Sequence, residues 1–499
     1  MGSKQDTNLL LAAVLEESGI SHKGLAARVR AEAERIGHKA SPDHVAVGRW
    51  LAGGKPHDQT IRCIAAVLGA KLGRKISFAE IGFDVAPVPV DTEADLVGEG
   101  ARYAGGTGQA VELLADLTAA DLADKPSLVG SDWAADAAPS VMTGYLFGDP
   151  VRTGEPGTFL VSSSEVADRI RATIKYFMDL DFQFGGGHTR KMLLFYWKTE
   201  IIPELRQGYP EQVRREIFGA AAEAAQIIGW SAYDAGRNGI AQRYFVQGLR
   251  LAREAGDPIM GARLLSNLSH QANYLGKFSE AVQFARAAQS SIFGHSSGTV
   301  NVMLLTMEAR AQASIGDERG AAETLHRAEQ LFDRRDVSTD PEWISYFDHL
   351  ELAGEAAHVF RDLGKPDETQ RFVQLAIDPA DTPPRTLAFI GLVSAAGKLA
   401  AGEVDDAVAT ATNAVNLAGA LKSSRYLRYV TDFQASLLER HATHASVLGF
   451  ADTVQAIHPK LWVPGAARTP ASQGIARREE FASALDIRQQ YPTTRQRSA

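Results

Sequence analysis

Cysteine is almost absent from this chain of 499 residues, in which Cys63 is the only one. A single thiol can neither form an intramolecular disulfide nor supply a four-thiolate zinc site, and such scarcity is typical of a reducing compartment. Long apolar runs are missing too, since none approaches the roughly 18 residues that a bilayer-spanning helix needs. We therefore expect a chain that does not cross a membrane.

Recognisable targeting and catalytic motifs are also missing. The opening MGSKQDTNLL lacks the charged, apolar and small-residue sections of a secretory signal, so we expect a cytoplasmic protein. The 13 histidines show no HExxH or paired-ligand spacing, and FGGGH at 184–188 lacks the spacing and the lysine of a phosphate-binding loop. The sequence predicts no enzyme activity, no metal site and no cofactor.

Charge is distributed unevenly along the chain. Residues 1–83 contain 12 Lys and Arg against 8 Asp and Glu, a net charge of +4, whereas residues 84–499 contain 40 against 52, a net charge of −12. A basic head on an acidic body would keep attraction for nucleic-acid phosphate local to the head. The alternative is chance variation over a short segment.

The basic head is predicted to contain four helices. The first, LLLAAVLEESG, begins after Asn8 and stops at Gly19; the second, SHKGLAARVRAEAERIG, has Ser21 as its N-cap and ends at Gly37. A short third helix lies in SPDHVAVGRWLAGGKP, with Ser41 as its predicted N-cap. The fourth, HDQTIRCIAAVLGAKLG, has apolar residues at helical spacing.

The third helix is predicted to have one inward and one outward face. Val45, Trp50 and Leu51 are expected to point inward. The other face is expected to carry Asp43, His44, Ala46 and Arg49.

The stretches GLAARV, HVAVGRWLAGGKP and TIRCIAAVLG resemble the helix-turn-helix of the lambda-repressor-like (Xre-type) family. The resemblance covers about the first 80 residues and departs from the family where RAEAERIGHKA inserts extra residues before the third helix. It implies that the third helix reads bases in the major groove of double-stranded DNA. Arg49 could contact guanine or clamp a phosphate. The DNA-binding residues implied are His44, Ala46 and Arg49 at base edges, with Asp43 beside them, and His22, Lys23, Lys39 and Lys55 at the backbone.

The remaining chain divides into three parts. Residues 84–160 are predicted to be a linker and a connector that has no clear periodicity, since Gly and Pro interrupt its apolar fragments. Residues 161–460 are predicted to form helical repeats, and residues 461–499 a mobile tail. The expected fold class is therefore all-α, a helix-turn-helix domain at residues 1–83 followed by a helical-hairpin solenoid.

The repeats align on a small residue in the second helix of each unit. Ala241, Ala281, Ala321, Thr369 and Ala407 occupy this position, at spacings of 40, 40, 48 and 38 residues. The layout of helix, glycine turn and helix resembles the tetratricopeptide repeat, and Gly229, Ala241 and Phe245 match its pattern. Such hairpins stack into an array whose first helices line a concave groove.

The groove is expected to mix aromatic, amide and basic side chains, which suits a polar or acidic partner. The alternative is a solvated face that binds nothing. The residues predicted to line it are Gln226, Trp230, Tyr233, Arg263, Ser266, His270, Asn273, Thr306, Arg310, His358 and Arg361.

The stretches DFQFGGGHTR, GWSAYDAGRNGIAQRYFVQGLRLA and SHQANYLG resemble actinobacterial regulators that join an Xre-type head to a tetratricopeptide body and repress differentiation or antibiotic production. The chain is also similar, more distantly, to peptide-responsive quorum-sensing regulators. The resemblance implies regulation. With the groove, it predicts a homodimeric transcription repressor, associated with the nucleoid when bound to DNA, whose affinity is controlled by a peptide, small molecule or protein in the groove. The alternative is a protein-interaction scaffold whose helix-turn-helix has lost DNA binding.

Overall fold

The computed structural model describes residues 8–35, 42–72, 76, 80–83, 96–148, 163–184, 186–294, 297–419, 421, 423–459 and 461. Within these ranges the chain forms helices and no β-strand, which confirms the expected all-α class. The chain divides into two compact units, residues 1–92 and residues 93–499. None of the helices in the described ranges is both long and apolar enough to span a bilayer. The predicted tail from 462 onward lies outside the described residues.

The described residues of the first unit form four helices around one apolar core. Leu25, Val29, Val47, Ile61 and Ile64 are fully buried in it, and the thiol of the single cysteine is buried among them. The helices are α1 (Leu9–Ser18), α2 (His22–Arg35), α3 (His44–Leu51) and α4 (Asp58–Leu72).

Asn8 ties the start of this unit to its end. Its Oδ1 accepts from the N–H of Leu11 at 2.9 Å and so caps α1, while its Nδ2 donates to the carbonyl of Ile81 at 2.9 Å. Its own N–H donates to the carbonyl of Leu51 at 2.9 Å. The Asn8 side chain thus caps the N-terminus of α1 and also joins it to a distant segment. The predicted start of α1 is therefore stabilised by tertiary as well as local contacts.

The start of α3 differs from the prediction. Asp43, not Ser41, is the N-cap: its Oδ1 accepts from the N–H of Ala46 at 2.8 Å. That bond to the carboxylate lowers the pKa of Asp43. Ser41 lies outside the described residues. The sequence SPD contains two good N-cap residues, and a sequence pattern alone does not distinguish them.

The second unit is a solenoid-like array of helices. Its helices are α5 (Thr107–Leu122), α6 (Pro126–Val129), α7 (Ala138–Phe147), α8 (Ser163–Phe184), α9 (Gly186–Tyr196), α10 (Ile202–Leu205), α11 (Glu211–Asp234), α12 (Asn238–Ala255), α13 (Pro258–Tyr274), α14 (Phe278–Ser291), α15 (Gly298–Ile315), α16 (Glu318–Arg334), α17 (His349–Asp362), α18 (Pro366–Leu375), α19 (Pro384–Ala400), α20 (Val404–Ala418), α21 (Ser424–His441) and α22 (Ala445–Ile457), with a π-helical turn at Trp197–Ile201 before α10.

Residues 96–148, to which the sequence pattern assigned no structure, pack against α12. Three buried polar side chains of α12 bind their main chain. Gln242 both donates to and accepts from Ala134, at 3.0 and 2.8 Å, and Gln247 donates to the carbonyl of Gly100 at 2.8 Å. Arg243 donates to the carbonyl of Leu96 at 3.0 Å, and its burial lowers its pKa to about 10. The connector therefore belongs to the array.

Five hairpins of the array share one turn geometry. In each, a glycine with positive φ follows the first helix, and the next residue donates its N–H to the carbonyl five residues earlier. Only glycine adopts this conformation without a steric penalty, which explains its recurrence at the turn. The glycines are Gly236, Gly276, Gly316, Gly364 and Gly402, with φ between 68° and 90°, and the closing N···O distances are 2.8–3.0 Å.

The fifth residue after each of these glycines is small and completely buried. Ala241, Ala281, Ala321, Thr369 and Ala407 all have an exposed fraction of 0%. Thr369 fits because its hydroxyl donates to the carbonyl of Lys365 at 2.7 Å, which satisfies the one polar group. The small residue lets the two helices of each hairpin approach closely, as the sequence alignment predicts.

The longest spacing, between the third and fourth hairpins, has a structural cause. The extra residues form two short 3-10 turns, Val337–Thr339 and Glu342–Ile344. Asp340 between them accepts hydrogen bonds from the hydroxyls of Ser297 and Thr299, at the start of α15. This loop is therefore held against the array.

Helix α21 returns to the first aligned hairpin. Asp234, at the end of α11, is fully buried and accepts from Ser423 Oγ at 2.8 Å, Arg425 Nε at 2.9 Å and Arg385 Nη2 at 3.0 Å. Burial alone would raise the pKa of Asp234, but the two guanidinium groups outweigh it and hold the pKa below its ordinary value. One carboxylate thus joins the first hairpin to α19 and α21.

Replacing Gly229 with alanine tests the close packing of the first aligned hairpin. A Cβ at this position would lie 2.5 Å from the ring of Phe245, which is fully buried. We expect Gly229→Ala to reduce the free energy of unfolding by about 1–3 kcal/mol, measured by urea denaturation. Gly449→Ala is the matched control, because a Cβ there meets nothing within 4 Å, and it should leave stability unchanged or raise it by up to about 1 kcal/mol. Equal stability of the two variants would contradict the packing argument.

Replacing Asp234 with asparagine tests the closure of the array. The variant leaves two buried guanidinium groups facing a neutral amide, which should cost about 3–5 kcal/mol at pH 7. Because the folded-state pKa of Asp234 is depressed, its contribution is complete above the unfolded-state value and is lost as the pH falls below about 4. Hydrogen exchange of α21 measures the effect. Glu323→Gln, which breaks an exposed Arg319–Glu323 pair, is the control and should change exchange little. Unchanged protection of α21 in Asp234→Asn would refute the closure.

Candidate DNA interface and groove

The outward face of α3 carries His44, Val45 and Arg49. All three side chains are exposed, whereas Val47 and Trp50 are buried against the unit. The helix ends in a tight turn, because Gly54 donates its N–H to the carbonyl of Arg49 at 2.8 Å. A short helix with a polar outer end and an anchored inner face could enter a major groove.

Two predictions for this helix are wrong. Ala46 is only 8% exposed and packs into the core, so it cannot contact a base. Val45 is 53% exposed instead of pointing inward. The physical reason is packing: the buried face of the helix runs through Ala46, Val47 and Trp50 at helical spacing, which leaves Val45 on the outside. An exposed valine at this place could contact a thymine methyl group.

The residues expected at the DNA backbone lie at three places. His22 and Lys23 are exposed at the start of α2, and Lys55 is exposed after α3. Lys39 lies outside the described residues. Arg28 and Arg30 are also exposed on α2, and the sequence analysis did not include them among the DNA-binding residues.

Six of the residues predicted to line the groove come together inside the array. They lie on the first helices of four successive hairpins, as a repeat alignment requires. The six are Trp230 and Tyr233 on α11, His270 on α13, Arg310 on α15, and His358 and Arg361 on α17.

Tyr233, His270, Arg310 and Glu355 form a hydrogen-bonded chain. The Tyr233 hydroxyl lies 3.1 Å from His270 Nδ1, Arg310 Nη1 lies 3.4 Å from His270 Nε2, and the same Nη1 donates to Glu355 Oε2 at 3.0 Å. A guanidinium group can only donate, so Nε2 is the acceptor and the proton of the neutral imidazole lies on Nδ1. The Tyr233 oxygen therefore accepts from His270 and keeps its own hydrogen to donate.

A second imidazole lies next to this chain. His358 Nδ1 is 3.5 Å from the hydroxyl of Tyr429, whose ring packs edge-on against the imidazole at 5.7 Å. The guanidinium carbon of Arg361 lies 5.3 Å from the centroid of the Tyr429 ring. Arg361 also donates two hydrogen bonds to Asp362, at 2.6 and 2.8 Å. Tyr429 belongs to α21, so that helix completes the cluster.

Arg425 is the other contribution of α21. Its guanidinium carbon lies 4.8 Å from the Trp230 ring centroid, 5.3 Å from that of Tyr233 and 5.5 Å from that of Phe389. Three aromatic faces and Asp234 thus hold one cation. Sequence reasoning missed Arg425 and Tyr429 because α21 lies beyond the last aligned repeat, and no local pattern indicates that it returns to α11.

Arg263 contacts a different set of residues. It lies 4.7 Å from the Trp343 ring centroid and donates to the Tyr346 hydroxyl at 2.6 Å and to Met303 Sδ at 3.5 Å. Trp343 and Tyr346 lie in the loop that lengthens the spacing between the third and fourth hairpins. The insertion therefore adds side chains to the groove.

Within the described ranges, four predicted groove residues make no hydrogen bond, ion pair or ring contact with the cluster. Gln226, Ser266 and Thr306 are buried between helices, and the Thr306 hydroxyl donates to the carbonyl of Met303 at 2.8 Å. Asn273 lies beside the cluster, and its buried Oδ1 accepts no hydrogen bond within the described ranges.

Burial and the arginines determine the protonation of the cluster. Burial lowers the pKa of His270 well below its ordinary value, and Arg310 and Arg425 lower it further. His358 shows the same shift, from burial and then from Arg310 and the other arginines. Both imidazoles are therefore neutral at physiological pH. Burial, with Glu355 and Asp348 nearby, raises the pKa of Glu351 to about 7.

Comparison with known proteins concerns the first unit. The family model described as SP15 N-terminal domain matches residues 11–84, which include most of α1 and all of α2, α3 and α4. No curated protein matches the chain, and no solved structure matches it. The chain is thus similar to one described domain family over its basic head.

Proposed function

We propose that the protein is a DNA-binding transcription regulator, a repressor whose affinity for double-stranded DNA is controlled by an effector held inside the helical array. The observation that carries the proposal is α3, a short helix anchored by Val47 and Trp50 that exposes His44, Val45 and Arg49. The net positive charge of residues 1–83 supports it, since phosphate attraction supplies most of the affinity of such domains. The Xre-type resemblance of the sequence points the same way.

The helical array supports the second part of the proposal, that an effector controls the affinity for DNA. In a tetratricopeptide-type array the first helices of the hairpins form a binding surface. Here they bring Tyr233, His270, Arg310 and His358 into one cluster. A ligand changes DNA affinity only if it favours one arrangement of the protein over another, typically by about 1–3 kcal/mol.

Removing the exposed polar side chains of α3 tests DNA binding. We expect His44→Ala with Arg49→Ala to abolish specific binding, at about 1–3 kcal/mol per lost base contact, without lowering the melting temperature of the protein. Gel shifts with an operator selected from genomic DNA give the measurement. Arg319→Ala is the control, because the Arg319 side chain is 90% exposed on α16 in the body. A double variant that binds the operator as tightly as wild type would rule out this interface.

The salt dependence of wild-type binding separates the regulator from the alternative scaffold. Each phosphate that the protein neutralises releases counterions, so the affinity of a DNA-binding head falls steeply as salt rises. A flat salt dependence, or no binding at all, would favour the scaffold.

The proposed regulator is a homodimer, because Xre-type heads read two half-sites about one helical turn apart. An exposed apolar patch in the body could hold the second copy. Tyr176, Met178, Met192 and Phe195 are 63%, 42%, 47% and 62% exposed. Met192 and Phe195 also line a depression of about 490 Å³, whose other lining residues are Phe177, Lys191, Tyr196, Thr199 and Glu200. Patches of this kind mark contact surfaces.

Charge placed in this patch should separate the dimer. We expect Met192→Glu with Phe195→Glu to sediment at the monomer mass of 53.7 kDa at micromolar concentration, and wild type at twice that mass. Phe293→Glu is the control, since Phe293 is 92% exposed elsewhere in the body. If wild type sediments as a monomer both with and without operator, the proposed dimer is refuted. If the Phe293 variant dissociates and the Met192/Phe195 variant does not, the patch is not the dimer contact.

A further inference from the structure

The cluster inside the array is bounded on one side by the chain itself. Helix α21 places Arg425 against Trp230 and Tyr233, and Tyr429 against His358. A peptide helix or extended segment lying along the first helices of the hairpins would have to displace these contacts and the buried Asp234 pairs with them. The occupant that fits without opening the array is therefore small.

Three guanidinium groups surround the two neutral imidazoles. Arg310, Arg361 and Arg425 all act on His358, and their side chains are only 9%, 21% and 14% exposed. Arg361 also lies 5.3 Å from the centroid of the Tyr429 ring. Each guanidinium group has a carboxylate partner, Glu355, Asp362 or Asp234, so the cluster offers a ligand the hydrogen-bond donors that these pairs leave unused rather than a net charge.

Hydrogen-bond donors of the cluster are not all used. Arg310 donates through Nη1, but its buried Nε has no acceptor among the residues that the structure describes. Arg425 uses Nε on Asp234, and within the same ranges neither of its Nη groups donates a hydrogen bond. Tyr233 keeps a hydroxyl hydrogen, because its oxygen accepts from His270. A buried donor without an acceptor is costly, and a bound acceptor would remove that cost.

We propose that this cluster, Tyr233, Arg310, Arg361 and Arg425, binds a small oxyanion, the carboxylate or phosphate group of a small-molecule effector. Guanidinium groups match the planar oxygen pairs of both anions, and charge-assisted hydrogen bonds are strong in a site that excludes most water. Neutral His270 and His358 orient Tyr233 and Tyr429 toward the anion. The inference rests on the proposed function, because it names the chemistry of the effector in the same interior.

Titration calorimetry of the full chain with inorganic phosphate and with citrate tests the site. Ionic strength is held constant with sodium chloride, and no DNA is present. We expect one saturable site per chain for at least one of the two anions. Preference for phosphate indicates a phosphorylated effector, and preference for citrate indicates a carboxylate. If neither gives a saturable heat up to millimolar concentration, the site is refuted.

The variants are chosen to leave no buried charge unpaired. Arg310→Gln with Glu355→Gln removes both partners of the inner pair and should weaken anion binding at least tenfold. Arg319→Gln with Glu323→Gln removes an exposed pair on α16 and should bind as wild type. Tyr233→Phe, which removes one hydroxyl, is a second inner variant that should weaken binding severalfold with an unchanged circular dichroism spectrum. Inner variants that bind as wild type would overturn the assignment.

The titration and the DNA experiments can fail independently. Anion binding by a protein that ignores DNA would overturn the proposed regulator and leave the site intact. DNA binding by a protein that binds neither anion would refute the anion site and leave the proposed regulator intact.

Discussion

The close approach of paired helices is the constraint on which the body of this protein depends. Each of five hairpins needs a residue without bulk where its helices meet and a glycine where the chain reverses, and both recur at Gly236 with Ala241 and at the four equivalent turns. Because the geometry of the turn repeats, the first helices come to lie side by side. That alignment brings Tyr233, His270, Arg310 and His358, which are far apart in sequence, into one cluster.

The sequence predicted features that short-range chemistry determines. The glycine turns, the buried small positions and the boundary at Asn8 each depend on a few neighbouring residues, and all were found where the pattern placed them. The inner face of α3 was mispredicted: it runs through Ala46, Val47 and Trp50, so Val45 and Ala46 exchange faces. In a helix of eight residues such a shift decides which side chains are outside.

Contacts between distant segments were beyond a sequence pattern. Arg425 and Asp234 are 191 residues apart, and no periodicity indicates that they pair. The connector was missed for a related reason: its own sequence has little helical regularity, and its order comes from Gln242, Arg243 and Gln247 of α12, which bind its carbonyl groups.

The pairing of Asp234 with Arg385 and Arg425 sets this array apart from an open solenoid. An open array interacts only between neighbours, so it can gain or lose a unit in evolution and can unravel from either end. Here the end of α11 is bound to the beginnings of α19 and α21. An added or deleted hairpin would move the first turns of α19 and α21 away from Asp234. The buried carboxylate would then lose its guanidinium partners. A change in the number of repeats therefore carries an electrostatic cost, and α21 cannot leave the array without exposing Asp234 at the end of α11.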